Sequence, residues 1–398
     1  MAISRRDVLL GSAGAAGAAA FSFPVPAIAQ SEPIKVGCLA AMTGPSSAPT
    51  IGFNRGVNFA VDAINAGGGV KGRKIELFMR DTQGDPTKAV NATQELISQA
   101  KVHAIWGPLN SGEALATTPI MARAKIPDIH PCVVETLIDT TKFPNAFRMA
   151  PSNSQWDDAV RNYCLNILKA KKVAVIGDTT GYGVTAVGAS VTAFKKDGAD
   201  VVYQANVDAT QPDMTPDMLR AKNAGAEVIV VWSVSTGMEA RMFNVRATMG
   251  WDVPFVGHPS MASGELAGLV AKPENWKKVY AIGYKSCSYD ASGKLPPKSE
   301  DLVARLAKAN VALNDTLLWW VAGGIDVIEV FAKAIETSGS TDARGIVAYL
   351  NTLNKYPGYF GDYTFTPTQH NGYPTDEVVM SEASTAKNGT FALAPGYS

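Results

Sequence analysis

What this sequence lacks first is a charge of one sign. Its 36 lysines and arginines match its 36 aspartates and glutamates over 398 residues. It has no block of basic residues, so a nucleic-acid partner has no electrostatic footprint. After residue 29 no apolar run approaches the length a membrane span needs. Cysteine is scarce, and Cys38, Cys132, Cys164 and Cys287 are too widely spaced for a zinc signature. Four thiols allow three disulfide pairings. Buried free thiols are the plainer reading, because Cys38 sits inside an apolar strand pattern. Catalytic signatures are missing as well, with neither a G-x-S-x-G elbow nor an H-E-x-x-H. The stretch 107–112 has phosphate-loop glycine spacing but lacks the lysine and hydroxyl that would follow. The sequence therefore points to no catalytic residue, no metal ligand and no cofactor, and an enzyme is not expected.

What is present begins with an address. Arg5-Arg6 precedes a small-residue apolar run, and Ala27-Ile28-Ala29 reads as a cleavage site. That order describes an export signal over residues 1–29, and the arginine pair resembles a twin-arginine signal. Removing it leaves 369 residues, too many for one ordinary core and suited to two lobes. Export predicts a periplasmic location.

Beyond the signal, short apolar runs alternate with helical patterns. Strands are expected at 34–39, 74–79, 102–106 and 126–130, with helices at 52–65, 85–99 and 111–123 between them. A second series follows residue 151. It has a helix at 153–168, strands at 172–176, 201–205, 228–232 and 254–256, and helices opening at Tyr182, Thr215 and Thr236. Residues 278–284 are read as a strand crossing back, helices open near Pro297, Thr316 and Asp342, and residues 361–365 make a third crossing. The fold class is α/β: two doubly wound Rossmann-like lobes joined by three hinge segments. Lobe 1 takes residues 34–150 and 283–357; lobe 2 takes 151–282 and 358–398.

Ligands of open α/β sheets bind beyond the carboxyl ends of strands. Two such edges share one design, a polar glycine-bearing turn that opens a helix. They are Gly107-Pro108-Leu109-Asn110-Ser111-Gly112 and Asp178-Thr179-Thr180-Gly181-Tyr182-Gly183. A helix start exposes N–H groups and the positive dipole end, so it suits an anion. Ser111 adds a hydroxyl, and Tyr182 a ring and a phenol. Helix capping alone is the plainer reading of either turn; the pair suggests a small carboxylate held in a cleft.

Several motifs occur in a telling order: Ile34-Lys35-Val36-Gly37, Thr43-Gly44-Pro45, Ile64-Asn65-Ala66-Gly67-Gly68, Gly72-Arg73-Lys74-Ile75 and Asp81-Thr82-Gln83-Gly84-Asp85-Pro86. Then come the 107–112 turn, Phe147-Arg148-Met149-Ala150-Pro151 and Lys172-Val173-Ala174-Val175-Ile176. In this the chain resembles the leucine/isoleucine/valine-binding-type periplasmic substrate-binding proteins of ABC transporters. The resemblance implies a type I two-lobed fold that closes on a ligand and docks on a membrane permease. It places the ligand carboxylate at Ser111 with its neighbours Asn110 and Gly112, assisted by Cys132, Val133 and Val134, and it gives Tyr182 the opposing role.

Two departures bear on the ligand. Amino-acid binders of this family present a threonine three residues after the fourth-strand proline, where this chain has Val134, or Thr136 with a one-residue deletion. They also present a lobe-two acid for the ligand ammonium, and Val256-Gly257-His258-Pro259-Ser260 holds none. A buried ammonium without a partner is costly. The expected ligand is an apolar, foremost aromatic, carboxylate without an amine, with His258 as a second polar contact. An amino acid remains the alternative, with Glu135 or Asp178 to meet its amine. A sensor that signals to a membrane receptor is the competing class. Trp232 is read as a ligand wall and the Trp319-Trp320 pair as helix-core packing. A monomer is expected.

Overall fold

A computed structural model describes residues 32–44, 46–383 and 387–397. The export signal expected at 1–29 lies outside the described residues. The chain opens with β1 (Ile34–Ala40), α1 (Ser47–Ala66), β2 (Ile75–Asp81), α2 (Pro86–Glu95), β3 (Ala104–Trp106), α3 (Ser111–Ala124), β4 (Asp128–His130) and β5 (Ala146–Arg148). These five strands form one parallel sheet in the order β2-β1-β3-β4-β5. The chain moves to one side of β1 and then to the other. The crevice between β1 and β3 is therefore a topological switch point, where ligands bind in such sheets.

The second series repeats the plan. It runs α4 (Asn153–Asn162), β6 (Lys172–Asp178), α5 (Gly181–Lys196), β7 (Asp200–Val207), α6 (Thr215–Asn223), β8 (Val228–Trp232), α7 (Thr236–Thr248), β9 (Phe255–Gly257) and β10 (Val279–Tyr284). After α8 (Pro297–Lys308), α9 (Leu318–Ser338), α10 (Ala343–Leu350), β11 (Tyr356–Pro357) and β12 (Asp362–Tyr363), the strand β13 (Val378–Glu382) returns. The second sheet has the order β13-β10-β9-β8-β6-β7. Its switch point lies between β6 and β8. Every residue of β8 is buried, as expected for a parallel strand covered by helices on both faces.

The structure corrects three sequence expectations. Residues 278–284 do not cross back as a strand: β10 pairs with β9 and, antiparallel, with β13. The 361–365 stretch is only β12, in a two-residue ribbon with β11. Residues 146–148, not read as a strand, close the first sheet as β5. The 153–168 helix ends in a widened turn over Tyr163–Ile167. All four cysteines are free and buried.

Helix α9 returns the chain to the first series by packing on α1. Glycine makes the crossing close. A β-carbon on Gly56 would lie 1.9 Å from the Val321 carbonyl oxygen, and one on Gly324 would lie 2.2 Å from that of Phe53. No other residue fits at either position without parting the helices.

Candidate functional site

The turn after β3 is built by its own side chains. Asn110 caps α3, its Oδ1 accepting from the Gly112 N–H at 3.0 Å. Asparagine suits this position because its short amide reaches the unpaired donors of the first turn. Ser111 follows as the first helical residue, 1% exposed, with its Oγ 3.5 Å from the Cys132 Sγ. The segment after β4 is held from below by Arg148, which is fully buried. Its guanidinium donates to the carbonyls of Val134 at 3.0 Å and Cys132 at 3.4 Å, to Asn371 Oδ1 at 3.0 Å and to Glu135 at 3.1 Å. This clamp presents Val133 to the cleft.

The turn after β6 is the counterpart. Asp178 accepts from the N–H groups of Thr180 and Val234, each at 3.0 Å. Thr180 caps α5 by accepting from the Gly183 N–H at 3.2 Å. The two helix starts then meet. A β-carbon on Gly112 would lie 3.8 Å from the Gly181 Cα. Two positive helix ends brought this near repel each other, and an anion between them removes the repulsion.

Beside this seam lies a cavity. The Asn110–Ser111 turn, Pro131 and Val133 form one side. Trp156 of α4, Tyr182 of α5, Val234 and His258 form another. Pro49 and Phe53 of α1, Trp319 and Trp320 of α9, and Tyr284 and Phe360 complete the wall. The rings support one another: His258 lies 5.3 Å from Trp156 and 5.2 Å from Tyr182, and Tyr284 lies 5.3 Å from Trp319 and 4.7 Å from Phe360. Trp156 donates its Nε1–H to the Tyr284 hydroxyl at 2.9 Å.

Among the described residues, no Asp, Glu, Lys or Arg lines this cavity. Its polar atoms are donors or neutral groups. The Tyr182 hydroxyl and the Trp319 Nε1 are buried without a hydrogen-bond partner among the described residues. Burial, with Asp178 nearby, pushes the Tyr182 phenol well up, so it keeps its proton. Burial pulls His258 down to about 3, so the imidazole is neutral.

The sequence-derived residues fall into groups. Asn110, Ser111, Val133, Tyr182 and His258 line the cavity. Gly112 does not line it but forms the seam with Gly181. Cys132 lies behind Ser111, and burial raises its thiol. Val134 packs in a separate small cluster with Ala114, Cys132 and Leu137. Trp232, expected as a wall, is buried in β8 and is not among the lining residues. Trp319 and Trp320, expected in a helix core, both face the cavity. Glu135 and Asp178 do not line it; their oxygens are engaged by Arg148 and Ser154, and by Thr180 and Val234. Phe53, Trp156, Tyr284 and Phe360 escaped the sequence reading. They come from four distant segments, and no local pattern joins them.

A family described as periplasmic binding protein matches residues 33–388. A Leu/Ile/Val-binding protein homolog of Brucella melitensis biotype 1 is 25% identical over 317 residues, covering 79% of this chain and 82% of the relative. The structure of a branched-chain amino acid transporter substrate binding protein from Streptococcus pneumoniae, in complex with isoleucine, superposes with a TM-score of 0.77 at 24% identity, covering 91% of this chain and 99% of that one. A solute binding protein of an ABC transporter from Rhodopseudomonas palustris, in complex with p-hydroxybenzoic acid, gives a TM-score of 0.74 at 22% identity, with coverage of 88% and 92%. At these identities the structural likeness speaks for the fold.

Proposed function

The chain belongs to the periplasmic binding protein family, and from that premise we propose that this ABC-type solute-binding protein captures a small aromatic carboxylate without an amine. One observation carries the reading: among the described residues, no ionised side chain lines the ring-walled cavity. An α-amino acid would bury its ammonium there without a counter-charge, which costs several kcal/mol. A carboxylate has donors at hand in Ser111 and the two helix starts. A benzene ring fits the aromatic wall, where ring pairs add about 0.5–1.5 kcal/mol each. One relative of this fold carries p-hydroxybenzoic acid and another isoleucine; the uncharged wall favours the former kind of ligand.

On this reading the two lobes are residues 34–150 with 283–357, and 151–282 with 358–398. They close on the ligand, and the closed form hands it to a membrane permease. The protein works as a monomer in the periplasm, reached by the twin-arginine route, and binds rather than turns over its ligand. Ligand drives closure only by its greater affinity for the closed state. Calorimetry and thermal shift test the ligand class, since a native-state ligand raises the melting temperature by mass action. Benzoate or 4-hydroxybenzoate should bind and leucine, isoleucine and phenylalanine should not. Tight binding of any of these amino acids with silent benzoates would overturn the reading.

A further inference from the structure

Behind the cavity wall lies a buried carboxyl that the carboxylate-binding turn does not use. Glu239, in the first turn of α7, is fully buried, and its Oε2 has no hydrogen-bond partner among the described residues. Its Oε1 meets the Ser260 Oγ in a short contact. Ser260 in turn sits 2.7 Å from the His258 Nδ1 through its hydroxyl, and its backbone N–H points at the same nitrogen from 3.1 Å. The Ser260 hydroxyl also lies 3.0 Å from the Ser233 carbonyl oxygen.

A backbone N–H can only donate, so Nδ1 is an acceptor. In neutral imidazole the proton then rests on Nε2. We propose that Glu239 is a positioning residue which, through Ser260, holds His258 as its Nε2–H tautomer, so that the site reads a neutral hydrogen-bond acceptor on the ligand end remote from the carboxylate. This rests on the aromatic-carboxylate reading above and narrows it to rings bearing a hydroxyl or similar group. Glu239 acts in its protonated form: its O–H is given to Ser260 Oγ, which leaves the serine hydrogen for Nδ1. Burial, with Asp178 and Glu265 facing it, pushes Glu239 well above the carboxylate range and keeps that proton in place. The unpartnered phenol of Tyr182, beside the His258 ring, is the second donor at this end.

The test has two arms. Nitrogen NMR of His258 in the ligand-free protein reads the tautomer whatever the ligand is. The Nε2–H form is expected in the wild type and in Glu239→Gln, and a mixture of tautomers in Glu239→Leu. Calorimetry compares 4-hydroxybenzoate with benzoate. About tenfold preference for the former is expected in the wild type, kept in Glu239→Gln and lost in Glu239→Leu and His258→Phe. An Nδ1–H tautomer in the wild type, or an undiminished preference in Glu239→Leu, would overturn the positioning role. If neither benzoate binds, the ligand reading fails and the specificity role with it, while the tautomer is judged by the first arm alone.

Discussion

Gly181 stands against Gly112: a β-carbon on Gly181 would lie 2.9 Å from the Gly112 Cα and 3.0 Å from its backbone nitrogen. This contact joins the first turn of α3 to the first turn of α5. Nothing larger than hydrogen fits there without parting the two helix starts.

Gly181→Val is therefore expected to block full closure while sparing each lobe. Ligand affinity should fall at least tenfold, about 1.4 kcal/mol. The melting temperature of the ligand-free protein should hardly move. Small-angle scattering with saturating ligand would show the compaction of the wild type and its absence in the variant.

Ser111→Ala removes the hydroxyl nearest the α3 start. A hydrogen bond to a charged group contributes about 1.5–3 kcal/mol, so a roughly ten- to hundredfold loss in affinity is expected. Among the described residues its side chain meets the Cys132 thiol, a weak donor, so the fold should survive. Unchanged affinity by calorimetry would remove Ser111 from the site.

Arg148→Met tests the clamp beneath Val133. The variant leaves two carbonyls and Asn371 without their donor. A loss of about 3 kcal/mol in urea unfolding is expected, with weaker ligand binding as the 132–135 segment loosens. Most of that loss comes from the buried carbonyls, because Glu135 is half exposed.

Glu113 gives the protein a pH dependence. Burial pushes it up to about 7 from an ordinary 4.5, partly offset by Thr82, with Asp85 and Asp81 adding repulsion. The folded state therefore holds this proton more tightly than the unfolded chain does. Its contribution is full below about 4.5, is lost as pH rises to about 7, and is level above that. Glu113→Gln has no proton to lose, so it should be more stable than the wild type at pH 8 by on the order of 3 kcal/mol. The difference should shrink toward pH 5. Melting curves of both proteins from pH 5 to 8 would show it; parallel curves would refute it.

Much of the frame could be read from the sequence because it is local. Short apolar runs mark β1 and β8, and a cap followed by a glycine marks the starts of α3 and α5. Ser111 and Tyr182 could be found because a functional turn and a helix cap obey the same rules. The cavity wall was hidden for the opposite reason. Phe53 and Trp320 share one wall only because α1 and α9 cross, and Trp156 reaches Tyr284 across 128 residues of chain. Trp232 misled because a strand end near a cleft does not fix which way its side chain turns. The placement of β10 was missed because its antiparallel partner β13 arrives only after a long excursion through α8, α9 and α10.

The close crossing of α1 and α9 makes Pro49, Phe53, Trp319 and Trp320 parts of one solid block. The backbones interlock at Gly56 and Gly324, against the carbonyls of Val321 and Phe53. Phe53 and Trp320 also pack on Gly323 and Gly52 of this crossing, so a lineage that changes its diet has most freedom at Pro49 and Trp319, where the skeleton is not at stake.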